Sequence, residues 1–265
     1  MNNPKLFRIP LLVVLSLVVM GCKRESSEPV PAQPPTETQA PTPTEAPSDP
    51  AASGHTAHAP IDCPLRKQGI NPTEMRPFDD AEKYIAFLER EDRASWQKPE
   101  EVLKALELKG DETLFDVGAG SGYFSFRFAS ALPKGLVIAA DTDPEMVRHL
   151  HHKSMTEGIA NVRAKLIESD NPGLEEGVDL VFICDVLHHV GDRPAWMSKL
   201  AEAMPSGARL AVIEFRAGEL PAGPPDALKI APDEVRQLAQ DAGLELSREE
   251  HALLPYQYLL IFRKP

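Results

Sequence analysis

The stretch LFDVGAGSGYF, residues 114–124, decides the fold class. Its opening residues are mostly apolar or aromatic and predict a buried strand that ends around Asp116. Glycines follow at alternate positions, as Gly118, Gly120 and Gly122. Glycine adopts the backbone angles that a sharp turn from strand to helix requires, and it lets a ligand approach the main chain. The stretch therefore predicts a strand, a glycine loop and a helix, with a ligand at the loop.

The helix after this loop is expected to begin near Ser121, where its free backbone N–H groups would face the ligand. Asp116 would add an acceptor for a cationic group. The glycines could instead serve a simple turn, or bind a dinucleotide such as NAD. The dinucleotide fingerprint G-x-G-x-x-G requires glycine at position 123, which is Tyr123 in this chain.

The observed spacing, G-x-G-x-G, resembles the first motif of the class I S-adenosyl-L-methionine (SAM) dependent methyltransferases. This resemblance implies that SAM is the cofactor and that the stretch binds it. The cofactor ligands that it implies here are Asp116, Gly118, Ala119, Gly120 and Gly122.

An acidic residue, Asp141, follows the next predicted strand, residues 136–140. It lies about 20 residues after the first glycine, which suits an acceptor for the hydroxyls of a ribose. Residues 141–146, DTDPEM, also resemble the second motif of the family, which implies that Thr142 and Met146 lie beside the cofactor. Asp143 could also simply cap a helix, and both roles are compatible.

Acidic side chains also follow two other predicted strands. After residues 161–167, the family places an acidic residue against the adenine amino group, and both Glu168 and Asp170 qualify. Glu214 lies at the end of the strand predicted over residues 208–215 and is a candidate acid or base, or else a solvated strand end.

Residues 179–184, DLVFIC, predict a buried parallel strand that delivers DVLHHV to the ligand-binding edge of the sheet. The LHHV tail resembles a motif of small-molecule methyltransferases. That resemblance implies that Asp185 lies near the methionine part of SAM and that His188 or His189 faces the methyl acceptor. A neutral imidazole can remove a proton near neutral pH, whereas the alternative role for one histidine is to hold the following turn.

The resemblance covers residues 110–263 and implies an α/β, Rossmann-like fold. Its sheet would have seven mostly parallel strands, with the antiparallel last strand between the fifth and sixth, and helices on both faces. Residues 110–265 would form the SAM-binding domain. Residues 61–109 would form a helical lid, whose Phe78, Tyr84 and Trp96 either line the site or pack as core. The helices expected from periodicity cover residues 78–93, 99–108, 144–157, 194–204 and 233–242.

The beginning of the chain predicts export. A short basic region and an apolar run, residues 9–20, predict a signal peptide over residues 1–21. The run ends in VMGC, which resembles a lipobox and implies acylation of Cys22. A plain secretory signal or an uncleaved anchor is the alternative. Residues 22–60 are rich in Pro, Thr and Ala and predict a disordered tether.

Composition excludes several classes of function. The formal charge is −12 and no basic stripe is present after residue 60, which argues against a nucleic-acid partner. Apart from Cys22, only Cys63 and Cys184 remain, too few for a disulfide scaffold or an arsenic site. His149, His151 and His152 do not follow the spacing of a zinc helix, so no metal is predicted.

These patterns predict a SAM-dependent methyltransferase that acts on a small-molecule, quinone or lipid-like acceptor. The lipidated Cys22 would tether it to a membrane of a bacterial envelope, with the domain on the extracytoplasmic side. Two alternatives stay open. One is a non-catalytic envelope lipoprotein that retains the fold, and the other is a cytosolic enzyme whose true start lies further along the chain.

Overall fold

The computed structural model describes residues 68, 69 and 78–265, with side chains at 68, 69 and from 81 onward. The predicted signal peptide, Cys22, the tether, Cys63 and the side chain of Phe78 lie outside this part. Within the described residues, no helix is both long enough and apolar enough to cross a membrane.

The strands form a seven-stranded sheet in the order β3-β2-β1-β4-β5-β7-β6. β1 to β5 are parallel, and β7 pairs antiparallel with both β5 and β6. This arrangement confirms the predicted fold. The strands are β1 Thr113–Val117, β2 Leu136–Asp141, β3 Val162–Leu166, β4 Leu180–Cys184, β5 Arg209–Phe215, β6 Glu245–Glu250 and β7 Gln257–Arg263.

Helices cover both faces of the sheet. They are α1 Phe78–Leu88, α2 Arg93–Gln97, α3 Pro99–Ala105, α4 Ser125–Ala131, α5 Pro144–Thr156, α6 Arg193–Ala203 and α7 Pro232–Asp241. Short 3-10 turns cover Leu187–His189 and Asp226–Leu228.

The alternation of side chains along β4 shows why this strand must be covered on both sides. Val181 and Ile183 pack into the cluster beneath α6 and α7. Leu180 and Phe182 pack into the opposite cluster, beneath α3, α4 and α5. All four side chains are fully buried, as the continuous apolar sequence of a central parallel strand requires. The core therefore fixes the strand, and its carboxyl end faces the site.

The segment before the sheet differs from the prediction of one helix over residues 78–93. α1 ends at Leu88 and α2 begins at Arg93. Lys98 then adopts a left-handed conformation, with φ of 41°, between α2 and α3. Pro99 contributes to this break because a proline disfavours helical angles in the residue before it. α3 also ends at Ala105, before the predicted residue 108, and Glu107 is again left-handed, with φ of 50°.

Candidate active site

A cavity of about 540 Å³ opens at the carboxyl edge of the parallel strands. This volume is in the usual range for small-ligand sites. The glycine loop, the end of β2 and the end of β4 form its floor, while α1 and α2 supply side chains from the lid segment. The site therefore lies where the sequence predicted it.

The glycine loop has the backbone that the sequence predicted. Gly118, Gly120 and Gly122 all have positive φ, at 67°, 54° and 83°. A Cβ on Gly118 would lie 2.3 Å from a methyl group of Val186, so a larger residue cannot fit there. Gly118, Ala119 and Gly120 line the cavity. The structure places Gly122 behind the wall, where a Cβ would lie 2.4 Å from the Phe126 ring.

The helix after the loop begins at Ser125, one turn later than the predicted start near Ser121. Residues 120–124 form turns, and the N–H of Gly120 donates to Asp141 Oδ2 at 2.8 Å. The N–H of Gly120, just before the predicted helix start, therefore positions a carboxylate. Ser121 lines the cavity, and its buried Oγ has no hydrogen-bond partner among the described residues. A bound cofactor can satisfy that hydroxyl.

Asp141 is held from two sides. Its Oδ1 accepts a hydrogen bond from the Asp143 N–H at 2.9 Å, in addition to the bond from Gly120. Each carboxylate oxygen has a further lone pair for a ribose hydroxyl. Burial raises the pKa of Asp141, and its backbone hydrogen bonds oppose that rise. Thr142 and Met146 line the same end of the cavity.

Capping of a helix by Asp143 is compatible with a place for Asp141 at the cavity, as the sequence predicted. Asp143 caps α5, because its side chain accepts from the Glu145 N–H at 2.9 Å. Asp141 is left at the cavity wall.

Of the other acidic side chains predicted to contact the cofactor, one lines the cavity and two do not. Glu168 lines the cavity, whereas Asp170 lies outside its lining, with Oδ2 3.9 Å from Lys199 Nζ. Asp116 also lies outside the lining, and its Oδ2 accepts a hydrogen bond from Ser125 Oγ at 2.5 Å. Burial raises the pKa of Asp116 to about 7. Of these three carboxylates, Glu168 is the one placed to meet a ligand directly.

Asp185, at the end of β4, borders the cavity in a left-handed conformation, with φ of 59°. Its Oδ1 accepts from Gln257 Nε2 at 2.6 Å, and its Oδ2 accepts from Gln97 Nε2 at 3.0 Å. Burial and the nearby Glu214 raise the pKa of Asp185 to about 7, while Arg93 opposes the rise. Sequence reasoning missed both glutamines, because no motif or periodicity distinguishes them.

His188 and Glu214 form a buried pair near the ends of β4 and β5. His188 lines the cavity, whereas Glu214 lies outside its lining. His188 Nδ1 lies 2.8 Å from Glu214 Oε2, and the His188 N–H donates to Oε1 at 3.3 Å. Burial alone would lower the pKa of His188, but the hydrogen bond and charge of Glu214 raise it. His189 also lines the cavity but is exposed, and burial together with His188 lowers its pKa.

Aromatic side chains complete the wall. Trp96 is buried, and its ring centroid lies 5.6 Å from that of Phe215. Tyr84 and Phe87, from α1, also line the cavity but are 50% and 59% exposed. Tyr84 and Trp96 thus lie where the lid prediction placed them. Arg90 belongs to the same wall, with its guanidinium 5.2 Å from the Trp96 ring centroid, and the sequence did not point to it.

No three His, Cys, Asp or Glu side chains within the described ranges are grouped so that they could hold a metal ion. Cys184 is a free thiol at the end of β4, and burial raises its pKa. Cys184 also lines the cavity, but a thiol with a raised pKa stays protonated near neutral pH and is a poor nucleophile.

Residues 115–210 match the family model described as a methyltransferase domain. Over 114 residues the chain is 29% identical to an uncharacterized methyltransferase of Mycobacterium tuberculosis, covering 43% of this chain and 56% of the relative. It is 26% identical over 133 residues to the trans-aconitate 2-methyltransferase of Rhodococcus jostii, covering 50% and 48% of the two chains. The chain therefore spans about half the length of these curated relatives.

A solved structure, the SAM dependent methyltransferase from Aquifex aeolicus, superposes with a TM-score of 0.64 at 28% identity. The match covers 69% of this chain and 97% of that chain. Its fold, the family model and the glycine loop beside Asp141 agree with one another. The sheet and its cavity thus have the fold of the class I SAM-dependent methyltransferases, and S-adenosyl-L-methionine is the cofactor that these comparisons support.

Proposed function

We propose that the protein transfers the methyl group of SAM to a small-molecule acceptor whose reacting atom carries a removable proton. The observation that carries this proposal is the pairing of His188, which lines the cavity, with the fully buried Glu214. Bound SAM supplies a methyl group that is activated by the positive charge on its sulfur. The protein then has to hold the acceptor in line with that methyl group, and such positioning supplies most of the acceleration.

The residues at the β1–β2 end would hold the cofactor. Asp141 would accept hydrogen bonds from the ribose, Ser121 would use its unpartnered hydroxyl, and Glu168 would face the adenine amino group. Asp185 would lie near the methionine part, where its negative charge favours a cationic ligand. His188 and the aromatic side chains of the wall would then contact the methyl acceptor.

Glu214 gives His188 the features of a general base. Because Nδ1 is bonded to the carboxylate, Nε2 is the nitrogen left to accept a proton from the acceptor. Glu214 then stabilises the imidazolium that results, and the proton leaves to solvent when the site opens. This role is useful only if the acceptor arrives protonated, which favours a hydroxyl-bearing acceptor.

The aromatic wall supports a flat, apolar acceptor. Trp96 and Phe215 flank this end of the cavity, and Trp196 also lines it. The relative named trans-aconitate 2-methyltransferase supports a small acceptor in general. A reduced quinone or a hydroxylated, lipid-like molecule combines a flat or apolar body with an ionisable hydroxyl, and we propose this class.

Activity is tested with the purified protein, SAM and a panel of quinols, phenols and hydroxylated lipids, with S-adenosylhomocysteine as the measured product. His188→Asn should abolish most product formation while SAM binding by calorimetry stays intact. His152→Asn, on the exposed surface of α5, is the matched control. If His188→Asn forms product at the wild-type rate, His188 is not the general base. SAM binding without any product across the panel would favour a non-catalytic envelope protein.

We also propose that lipidation of Cys22 tethers the domain on the extracytoplasmic side of a bacterial membrane. The basic region, the apolar run and VMGC support this proposal. Membrane fractionation of cells that express a tagged protein tests it, with Cys22→Ser as the control. The wild type should sediment with membranes and the variant should not, and a soluble wild type would contradict the anchor.

A further inference from the structure

We propose that Gln97 and Gln257 are positioning residues that hold the Asp185 carboxylate at the cavity, so that α2 is a working part of the cofactor site. The proposal rests on SAM being the cofactor. Gln97 and Gln257 are both fully buried. They also lie outside residues 115–210, the region that matches the methyltransferase family model.

The orientation of Gln97 follows from its neighbours. The Arg93 side chain donates a hydrogen bond from Nε to Gln97 Oε1. Arginine has no acceptor, so the oxygen of the amide must face Arg93 and the NH₂ group must face the opposite way. That group lies 3.0 Å from Asp185 Oδ2. The lid segment thus presents a donor to the end of β4 in one fixed direction.

Gln257 approaches the same carboxylate from β7. Its Nε2 donates to Asp185 Oδ1 at 2.6 Å, and its Oε1 lies 3.3 Å from Gln97 Nε2. Both carboxylate oxygens therefore accept from amide donors, and the two amides also contact each other. Hydrogen bonds to the charged form of a carboxylate favour that form, which a cationic ligand requires. The glutamines thus oppose the cost of burying Asp185.

The proposal predicts a dependence of SAM affinity on pH. The titratable or charged groups that face Asp185 are Glu214 from β5, Arg93 from α2, His188 from the 3-10 turn, Cys184 from β4 and Tyr258 from β7. Because the pKa of Asp185 is about 7, its carboxylate is half ionised near that pH, becomes fully ionised as the pH rises and is protonated as the pH falls. SAM affinity should therefore fall as the pH drops through 7. Loss of either amide donor should move this fall to higher pH.

The experiment measures SAM binding by calorimetry from acidic to alkaline pH in the wild type, Gln97→Met and Gln257→Met. Methionine preserves the approximate size of glutamine while removing the donor. Each variant should bind SAM about tenfold more weakly near neutral pH, with the fall in affinity displaced upward. Gln240→Met, on the exposed surface of α7, should match the wild type.

A double-mutant cycle with Asp185→Asn separates positioning from packing. If Gln97 acts through Asp185, Gln97→Met should cost little further affinity once Asp185 is Asn. Additive losses, or unchanged affinity and pH dependence in both single variants, would overturn the inference while leaving the cofactor in place. A wild type that does not bind SAM would instead overturn the cofactor assignment and the inference with it. Gln257→Met supplies an independent route to the same carboxylate if Gln97→Met fails to fold.

Discussion

The two ends of the cavity are built in different ways. At the β1–β2 end, the wall comes from short contiguous stretches, residues 118–121 and 141–143, together with Met146, and much of it is backbone. At the β4–β5 end, the wall depends on side chains that are far apart in sequence. Gln97 and Asp185 are separated by 88 residues, and His188 and Glu214 by 26.

The amino-acid sequence therefore determines the two ends of the cavity in different ways. A loop made of backbone needs only the right residue types at the right spacing, so a local motif describes it. A cluster of side chains needs the completed sheet, because its members meet only when β4, β5 and β7 are paired. The β1–β2 end, which would hold the ribose of the cofactor, should therefore respond to changes in backbone geometry. The β4–β5 end, where Asp185 would meet the methionine part of SAM and His188 the acceptor, should respond to changes in side-chain chemistry.

The largest effect is expected from Gly122→Ala, which tests the backbone of the cofactor end. The new methyl group would lie 2.4 Å from the Phe126 ring and 2.7 Å from Leu150, at a residue with φ of 83°. Left-handed strain and overpacking together should lower the free energy of unfolding by about 3 kcal/mol, measured by urea denaturation. Gly158→Ala is the control, because its φ is 67° but nothing lies within 4 Å. Equal losses in the two variants would show that crowding is unimportant.

The second effect tests the side-chain chemistry of the acceptor end. Glu214→Gln should lower the rate of methyl transfer about a hundredfold without weakening SAM binding, because loss of the Glu214 charge favours the Asp185 carboxylate. Only neutral His188 accepts a proton, so the wild-type rate should rise as pH increases through the raised pKa of His188. Without the Glu214 carboxylate that pKa falls, and the rise should move to lower pH with a lower plateau. An unchanged pH profile would contradict the pairing.

A third, smaller effect returns to the cofactor end. Asp141→Ala removes the carboxylate that is held by Gly120 and Asp143, and it should weaken SAM binding about tenfold in calorimetry. Asp170→Ala is the matched control, because that side chain lies outside the cavity lining. If Asp141→Ala and Asp170→Ala bind SAM equally well, the prediction that Asp141 contacts the ribose is contradicted.

The smallest effect concerns the surface of the lid. Glu89 and Lys153 form an ion pair, with 3.4 Å between Glu89 Oε1 and Lys153 Nζ, that links the end of α1 to α5. Glu89→Gln should change the free energy of unfolding by about 0.5 kcal/mol or less, because partly exposed ion pairs contribute little. A larger change, measured at low and high salt, would mean that the lid depends on this surface contact more than on the buried glutamines.

The sequence predicted the fold because the central strands β2, β4 and β5 are mostly apolar and the glycine loop marks the edge where ligands bind. It also placed Asp141, Asp185, His188 and Glu214 at that edge, since each lies at or shortly after the carboxyl end of a parallel strand. It could not tell which acidic side chains turn into the cavity: Glu168 lines it, whereas Asp170 does not. Periodicity alone likewise did not reveal the interruption between α1 and α2.

The residues missed by sequence reasoning share one property. Arg93, Gln97 and Gln257 lie outside any recognised motif, and their partners are distant in the chain. A single buried amide side chain gives no periodic signal, so its role becomes visible only through its contacts. The lipid anchor at Cys22 stays a prediction, because that residue lies outside the described part of the structure.

The position of β7 has a consequence for the order of events during protein synthesis. β7 lies between β5 and β6, although the ribosome makes it after both. Until it emerges, the far edge of β5 is open and β6 has no neighbouring strand to pair with in this sheet. A nascent chain therefore displays an apolar strand edge that is prone to wrong pairing. Because Gln257 arrives with β7, the site and the sheet are completed in the same step.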